Sequence, residues 1–332
     1  MPKPDPMASP GTPSAPDSGC RDGLRLLGID IGGTNSRARV WARGQIAAES
    51  QASSASLPAV GLQAATSALA ALLSGAGVGP WDPVDAICVG SAGLSVPGAR
   101  QFLHAQLAPL TRPGTVVIVS DAMLVLPAAG LDSGVAVICG TGSVAVGRCA
   151  DRTVQIGGWG YLLGDPGSGY WIVREALRVL LGRRDLGEPP GELGRQLLAA
   201  TESEDLAMLH RRYFEQPHVP GTWARHARLV LASDDPAAAA ISDGAARAVA
   251  ELAAAATAEL NGRGELHGRG ELDPPSYLPV VLAGGLFRNQ AFCRASLDAV
   301  AQVMPGVQVS VLTDEPVAGA VRLAGLAAKQ EG

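Results

Sequence analysis

Two short glycine-threonine turns, each entered from an apolar run and left by an alternating one, constrain this chain more than any other feature. Leu24 to Val40 reads LRLLGIDIGGTNSRARV, an apolar strand followed by the turn Gly32-Gly33-Thr34-Asn35. A second strand follows, in which Ser36, Ala38 and Val40 alternate with Arg37 and Arg39. The plan returns after Asp121: an apolar strand over Val135 to Cys139, the turn Gly140-Thr141-Gly142-Ser143, and a partner strand over Val144 to Cys149. A strand–turn–strand unit in both halves predicts two α/β lobes of one design. A chain of 332 residues is also long for a single core, since cores stop growing at a few hundred residues.

The remaining pattern fills in each lobe. Strands are expected over Gly44 to Gln51, Ala86 to Val89 and Val116 to Val119, with a helix over Ala59 to Leu73. In the second half a strand is expected over Thr153 to Ile156, and helices over Tyr170 to Leu181, Gly194 to Leu209 and Ala237 to Leu260. A strand over Leu278 to Leu282 and a closing helix over Pro316 to Ala328 complete it. Residues 1–22, rich in Pro, Ser and Gly without an apolar core segment, read as a disordered tail and not a signal peptide. The pentapeptide GRGEL at Gly262 to Leu266 recurs at Gly268 to Leu272, a tandem duplication in a polar loop to which no function is given.

Composition narrows the chemistry. The only lysines are Lys3 and Lys329, so the folded body has no lysine for a P-loop, a protein-kinase strand or a Schiff base. A formal charge of -5 without any Lys/Arg run argues against nucleic acid and anionic membranes as partners. No stretch has the length and apolar character of a membrane span. The five cysteines, Cys20, Cys88, Cys139, Cys149 and Cys293, form no C-x-x-C pair, which fits a reducing cytoplasm. Cys139 reads as a buried structural thiol. The five histidines show no metal-ligand spacing.

Both turns carry phosphate chemistry. Glycines without Cβ let backbone N–H groups approach a phosphate closely, and the side chains of Thr34, Asn35 and Thr141 add further donors. Neither turn opens a helix, which disfavours a dinucleotide-binding Rossmann unit. Asp30, at the end of the first strand, can hold Mg²⁺ through water. Each turn alone could be an ordinary hairpin; their repetition after an apolar strand is what favours one polyphosphate gripped from two sides.

LGIDIGGTNSRARV, VSDAMLVLPAAG, VAVICGTGSVAVG and GGWGYLLGDPGSGYWIVREAL, in that order, resemble the N-acetylglucosamine kinase branch of a family that also holds benzoyl-CoA reductase and hydroxyacyl-CoA dehydratase ATPases. The resemblance covers about Leu24 to Ala328, with Gly157 to Gly169 its most specific piece. It implies the sugar kinase and actin superfamily: an α/β fold of two ribonuclease H-like, actin-like ATPase domains around an interdomain cleft. Residues 23–121, joined by the C-terminal helix 316–330, would form the first domain and 122–315 the second.

Carried over residue by residue, the resemblance assigns the ATP phosphates to Gly32, Gly33, Thr34, Gly140, Thr141 and Gly142. The bare backbone of Gly284 and Gly285, after the strand Val280 to Ala283, is assigned to the adenosine. Asp121 is implied as the catalytic base, with a helix N-cap as its structural alternative. Asn35, Asp121, Gly158, Trp159 and Asp165 are implied as sugar contacts; a lone Trp is more often core, and the flanking glycines and Asp165 favour the site. Gly319 and Ala320 in Asp314 to Ala320 would permit close approach of the closing helix, which suits a closing cleft.

The expected activity is ATP- and Mg²⁺-dependent phosphorylation of an amino-sugar hydroxyl, N-acetylglucosamine giving its 6-phosphate, with a homodimer as the default assembly. Glucosamine and N-acetylmuramic acid are alternative substrates. An ATPase activator of a CoA-ester reductase or dehydratase would carry cysteines for an iron–sulfur cluster, and no cysteine pair offers itself. A non-catalytic sugar or nucleotide sensor is a third class, against which the retention of Asp121 argues. Ile31 stands where this family often has Gly, a form that also resembles the repressor-linked glucokinase group. That group's C-x-C-G and E-x-G-H motifs do not occur here.

Overall fold

The computed structural model describes residues 23–112, 115–215, 220–262 and 278–330. The tail expected over residues 1–22 lies outside the described residues, as does the tandem GRGEL repeat beyond Gly262. The described chain forms two compact units, one up to Asp132 together with Leu312 onward, the other Ser133–Val311.

In the first unit the sequence order is β1 (Arg25–Ile31), β2 (Asn35–Ala42), β3 (Gln45–Ser53), α1 (Leu57–Val60), α2 (Leu62–Gly75), β4 (Ala86–Ser91), α3 (Ala99–Leu107), β5 (Val116–Val119) and α4 (Val125–Ala128). The five strands form one mixed sheet ordered β3-β2-β1-β4-β5. β1 pairs antiparallel with β2 and parallel with β4. The single helix expected over Ala59 to Leu73 is two, because Gly61 sits at φ 78°, ψ 168°, outside the helical region. α3 was not expected; only Ala99, Leu103 and Leu107 of ARQFLHAQL are buried, too few apolar residues to stand out.

The second unit contains β6 (Gly134–Cys139), β7 (Ser143–Cys149), β8 (Arg152–Gly157), α5 (Gly169–Asp185), α6 (Gly191–Ala200), α7 (Leu206–Glu215), α8 (Pro220–Ala224), α9 (Ala227–Leu231), α10 (Pro236–Leu260), β9 (Val280–Ala283), α11 (Gln290–Val303) and β10 (Val309–Val311). Its sheet runs β10-β9-β6-β7-β8. Read from the other edge, this is the order and strand polarity of the first sheet, with β6 in the place of β1. The helix expected over Gly194 to Leu209 is broken: Glu202 adopts φ 52°, and Asp205 caps a new helix by accepting from the N–H of Met208 at 2.7 Å.

The long helix α10 starts where the carboxylate of Asp235 accepts from the N–H of Ala237 at 2.9 Å, with Pro236 in its first turn. The same carboxylate takes two 2.7 Å hydrogen bonds from Arg183 at the end of α5, a bidentate pair tying the two helices. With few aromatics in the chain, the core of this unit is aliphatic and Ala-rich, including Ala245, Val249, Ala253 and Ala256 of α10. No helix among the described residues is long and apolar enough to cross a membrane.

The C-terminal helix, Pro316–Gln330, packs on β1 and α4. Two glycines set that approach. A Cβ on Gly28 would lie 2.6 Å from the backbone nitrogen of Val321, and one on Gly319 would lie 2.0 Å from the carbonyl oxygen of Leu124. Both obstacles are backbone atoms and have little freedom to move. Gly319→Ala should therefore lower the melting temperature, costing about 1–3 kcal/mol or more from overpacking. The exposed Gly182 of α5, whose Cβ would meet nothing within 4 Å, is the control, and Gly182→Ala should stabilise by about 0.5–1 kcal/mol. Thermal unfolding of the two variants checks both signs.

Candidate active site

In the first unit, the candidate residues gather at the C-terminal ends of the parallel strands β1, β4 and β5, the edge where open α/β sheets place their ligands. Asp30 is the penultimate residue of β1 and pairs in register with Gly90 of β4. Asp121 follows β5 by one residue and opens a 3-10 turn whose N-cap position is Ser120. Its carboxylate accepts from the N–H of Ala122 at 3.0 Å. Ser120 holds the N-cap position without a side-chain cap hydrogen bond, so the side chain that bonds this turn's backbone is that of Asp121, which keeps a second carboxylate oxygen uncommitted to that bond.

The two aspartates feel each other. Burial pushes the Asp30 carboxyl up to about 7, the negative charge of Asp121 adds to the rise, and the guanidinium of Arg37 opposes it. Asp121 is also raised, by burial above all, against backbone N–H groups that hold it down. Arg37 is the cross-strand partner of Asp30 and forms an ion pair with Glu315, just before the C-terminal helix. The sequence reading gave no role to Arg37 or Glu315. The signal for Arg37 was present, because counting back from the hairpin turn places it opposite Asp30.

The first turn is held largely by its carbonyls and leaves two of its amides unspent. The hydroxyl of Ser54 donates to the carbonyl of Gly32 at 2.8 Å, and the N–H of Ser54 donates to the carbonyl of Thr34 at 3.0 Å. Gly32 donates to the carbonyl of Asn35 at 2.9 Å. The N–H groups of Gly33 and Thr34 have no partner among the described residues, and Gly33, Thr34 and Asn35 are exposed. A Cβ on Gly33 would meet nothing within 4 Å, so packing does not require glycine there. Adjacent free amides in a tight turn form an anion-binding concavity.

In the second unit, the turn Gly140–Gly142 is the centre to which the other candidates are tied. Gly169 donates to the carbonyl of Gly140 at 2.8 Å, Tyr170 to that of Thr141 at 3.3 Å, and Gly158 to that of Ser143 at 3.1 Å. The Ser143 hydroxyl donates to the carbonyl of Pro166 at 2.8 Å. Again the amides of Thr141 and Gly142 have no partner among the described residues. Gly284 has φ 116°, and a Cβ there would lie 2.1 Å from the carbonyl oxygen of Cys139, so glycine is dictated by this crossing. Gly285 is exposed and open, presenting bare backbone. Cys139 itself is buried, with its thiol pushed up to about 12 mainly by burial, as a structural cysteine should be.

Asp165 is the most constrained residue of this group. It is 7% exposed, holds φ 56°, and lies so close to the turn that a Cβ on Gly142 would be 2.5 Å from its Oδ2. Its Oδ1 is buried with no hydrogen-bond partner among the described residues, and burial raises its pKa against backbone N–H groups of Gly160 and Ser143. A buried carboxylate oxygen without a partner, in a left-handed backbone conformation, costs stability in the chain alone. Trp159 is 80% exposed, so it is not a core residue of this protein.

Because folding raises the Asp30 pKa, the native state holds more protons than the unfolded chain between its ordinary value near 3.8 and about 7. The protonated native form is fully stabilised below that window, and stability falls as pH rises through it. Without nucleotide or divalent cation, Asp30→Asn should therefore melt a few degrees above the parent at pH 8, about 2–4 °C per kcal/mol for a unit of this size. That gain should shrink as pH falls through the window and vanish below about pH 3.8. Melting curves across pH check it; an equal gain at every pH would contradict the buried-charge account.

Comparison with known proteins accords with this geometry. The profile of the BadF/BadG/BcrA/BcrD ATPase family matches residues 27–324. The N-acetylmuramic acid/N-acetylglucosamine kinase of Clostridium acetobutylicum is 37% identical over 99 residues, 29% of this chain and 32% of that protein. The N-acetyl-D-glucosamine kinase of Dictyostelium discoideum is 32% identical over 130 residues, 37% of this chain and 41% of that protein. The matched stretches thus span well under half of either relative's length. A candidate N-acetylglucosamine kinase from Chromobacterium violaceum has a similar solved structure, with a TM-score of 0.67, 27% identity, and coverage of 91% of this chain and 99% of that one. A ROK family glucokinase from Streptomyces griseus, solved with glucose and AMPPNP, shares the fold at a TM-score of 0.57 and 17% identity over 93% of this chain and all of its own. With the family profile spanning nearly the whole sequence, the chain belongs to the BadF/BadG/BcrA/BcrD ATPase family.

Proposed function

We propose that this protein is an ATP-dependent amino-sugar kinase that transfers the γ-phosphoryl group to the 6-hydroxyl of N-acetylglucosamine. The observation that carries the reading is a glycine turn with unspent amides in each unit together with a half-buried carboxylate, Asp121, just past a strand end. The amino-sugar kinase activities in the names of the C. acetobutylicum and D. discoideum proteins support the substrate class.

The amides of Gly33, Thr34, Thr141 and Gly142 would donate to phosphate oxygens, and the bare backbone of Gly284 and Gly285 would lie against the nucleoside. The carboxylate of Asp165 would accept from a sugar hydroxyl, with Asn35, Trp159 and the backbone at Gly158 completing the sugar contacts. Asp121 would accept the proton of the attacking hydroxyl as its oxygen bonds to the γ-phosphorus and the bond to the β-phosphate oxygen breaks, releasing ADP.

The donor set fits a magnesium ion in its usual form. Mg²⁺ keeps waters and phosphate oxygens and asks the protein for only one or two carboxylates. Asp30, raised by burial and by Asp121, is such a carboxylate, and it would hold the ion through water. The ion would neutralise charge on the transferring phosphates. Four free cysteines among the described residues fit a reducing compartment, and we place the protein in the cytoplasm.

Incubation with MgATP and a panel of N-acetylglucosamine, glucosamine and N-acetylmuramic acid tests the reading. ADP release that depends on N-acetylglucosamine and yields its 6-phosphate supports it, whereas sugar-independent release favours an ATPase activator. Asp121→Asn should cut kcat by about 10²–10⁴-fold, the scale of a lost general base, while leaving ATP affinity nearly intact. Unchanged turnover would remove Asp121 as the base.

A further inference from the structure

Helices α5 and α7 pack together but leave a pocket of about 190 Å³ between them. Its apolar lining is Leu177 and Leu181 from α5 and Leu206, Leu209, Tyr213 and Phe214 from α7. Leu177 and Leu181 stand four residues apart, and Leu206, Leu209 and Tyr213 follow helical spacing, so each helix turns one apolar stripe to the other. None of these residues is among the nucleotide or sugar candidates above.

The pocket is closed at the bottom and fixed at the side. Leu177, Leu206 and Leu209 are buried and form the floor. Tyr213, half-buried, is a wall; its ring centroid lies 4.9 Å from that of Trp223 and 5.8 Å from that of Tyr170. Backed by two rings, that wall has little freedom to fold inward and fill the space. Phe214, 69% exposed, stands at the mouth with its ring 4.8 Å from that of His210.

Volume and lining decide the kind of occupant. A buried water asks for about two to four polar partners, which a floor of leucines does not supply, and an apolar cavity of about 150 Å³ accepts a benzene-sized ring. A protein helix, about 10–12 Å across, is too wide to enter, whereas one ring or one branched chain fits.

The remaining lining residues set the charge of the occupant. They are Arg174, Arg178 and His210, with no carboxylate among them. Glu175 takes up Arg174 at 3.1 Å but reaches Arg178 only at 3.6 Å, beyond hydrogen-bond length. The Arg178 side chain is 73% exposed, so its guanidinium is free to turn its paired donors to a carboxylate at the mouth.

We propose that this pocket binds a small amphiphilic carboxylate: one ring or branched chain seated on Leu177, Leu206 and Leu209, with its carboxylate on the guanidinium of Arg178. The proposal stands on this pocket alone and does not depend on the phosphotransfer reading.

Calorimetric titration of the full chain with 3-phenylpropionate, its neutral amide and acetate provides the test. The acid should bind saturably with a Kd below about 1 mM. The amide should bind about fivefold more weakly, the scale of one exposed ion pair, and acetate, which lacks the apolar body, should show no saturation. Arg178→Gln should weaken the acid to the level of the amide and leave the amide unchanged. Leu181→Phe, which fills the pocket from its half-buried wall, should abolish binding of both while the melting temperature is kept. No saturable binding of the acid, equal binding of acid and amide, saturable binding of acetate, or an unchanged Kd for the acid in Arg178→Gln would each overturn the proposal.

Discussion

Each sheet is organised around one strand, β1 or β6, that pairs antiparallel on one side and parallel on the other. The hairpin turn at the end of such a strand faces a limit: its antiparallel partner departs, its parallel neighbour ends, and nothing remains to accept its last amides. In both units those amides are left free while the turn's carbonyls are tied down. The other candidate residues are placed by this constraint. Asp30 precedes the first turn, and the chain from Gly158 to Tyr170 is pinned to the second by hydrogen bonds to the carbonyls of Gly140, Thr141 and Ser143.

Around these turns the protein keeps groups that folding alone would disfavour. Asp30 and Asp121 are half-buried and raised, with the charge of Asp121 acting on Asp30, and Asp165 combines a left-handed backbone with a buried oxygen that has no hydrogen-bond partner among the described residues. Each costs stability in the unliganded chain. Asp30 lies near the end of β1, just before the first turn, Asp121 follows β5, and Asp165 lies against the second turn; under the proposed function a cation, phosphates and a sugar hydroxyl would satisfy the carboxylates, the amides and the acceptor oxygen respectively. The family profile joins the chain to ATPases on grounds independent of that electrostatic argument.

Much of this was legible in the sequence, for identifiable reasons. The strands of both hairpins are apolar or alternating runs that end in glycine, and the β1 and β6 boundaries fall within a residue or two of expectation. Gly319 could be read as a close-approach residue because a small residue early in a closing helix has few other uses. Helix breaks were harder. Gly61 and Glu202 interrupt sequences of good helix formers, and only the backbone angles reveal where each helix stops. α3, α11 and β10 went unread, since their faces are short or mixed. The Arg37–Glu315 ion pair joins residues far apart in the chain, beyond any local pattern. The orphaned Oδ1 of Asp165 depends on a packing arrangement that no spacing encodes.

The proposed function requires that the amides of both turns donate to one nucleotide. Hydrogen–deuterium exchange of the full chain, with and without a non-hydrolysable ATP analogue and Mg²⁺, measures this at the peptides covering residues 32–35 and 140–143. The account predicts slowed exchange at both turns at the same analogue concentration. Protection at one turn with the other unchanged at saturation would contradict it.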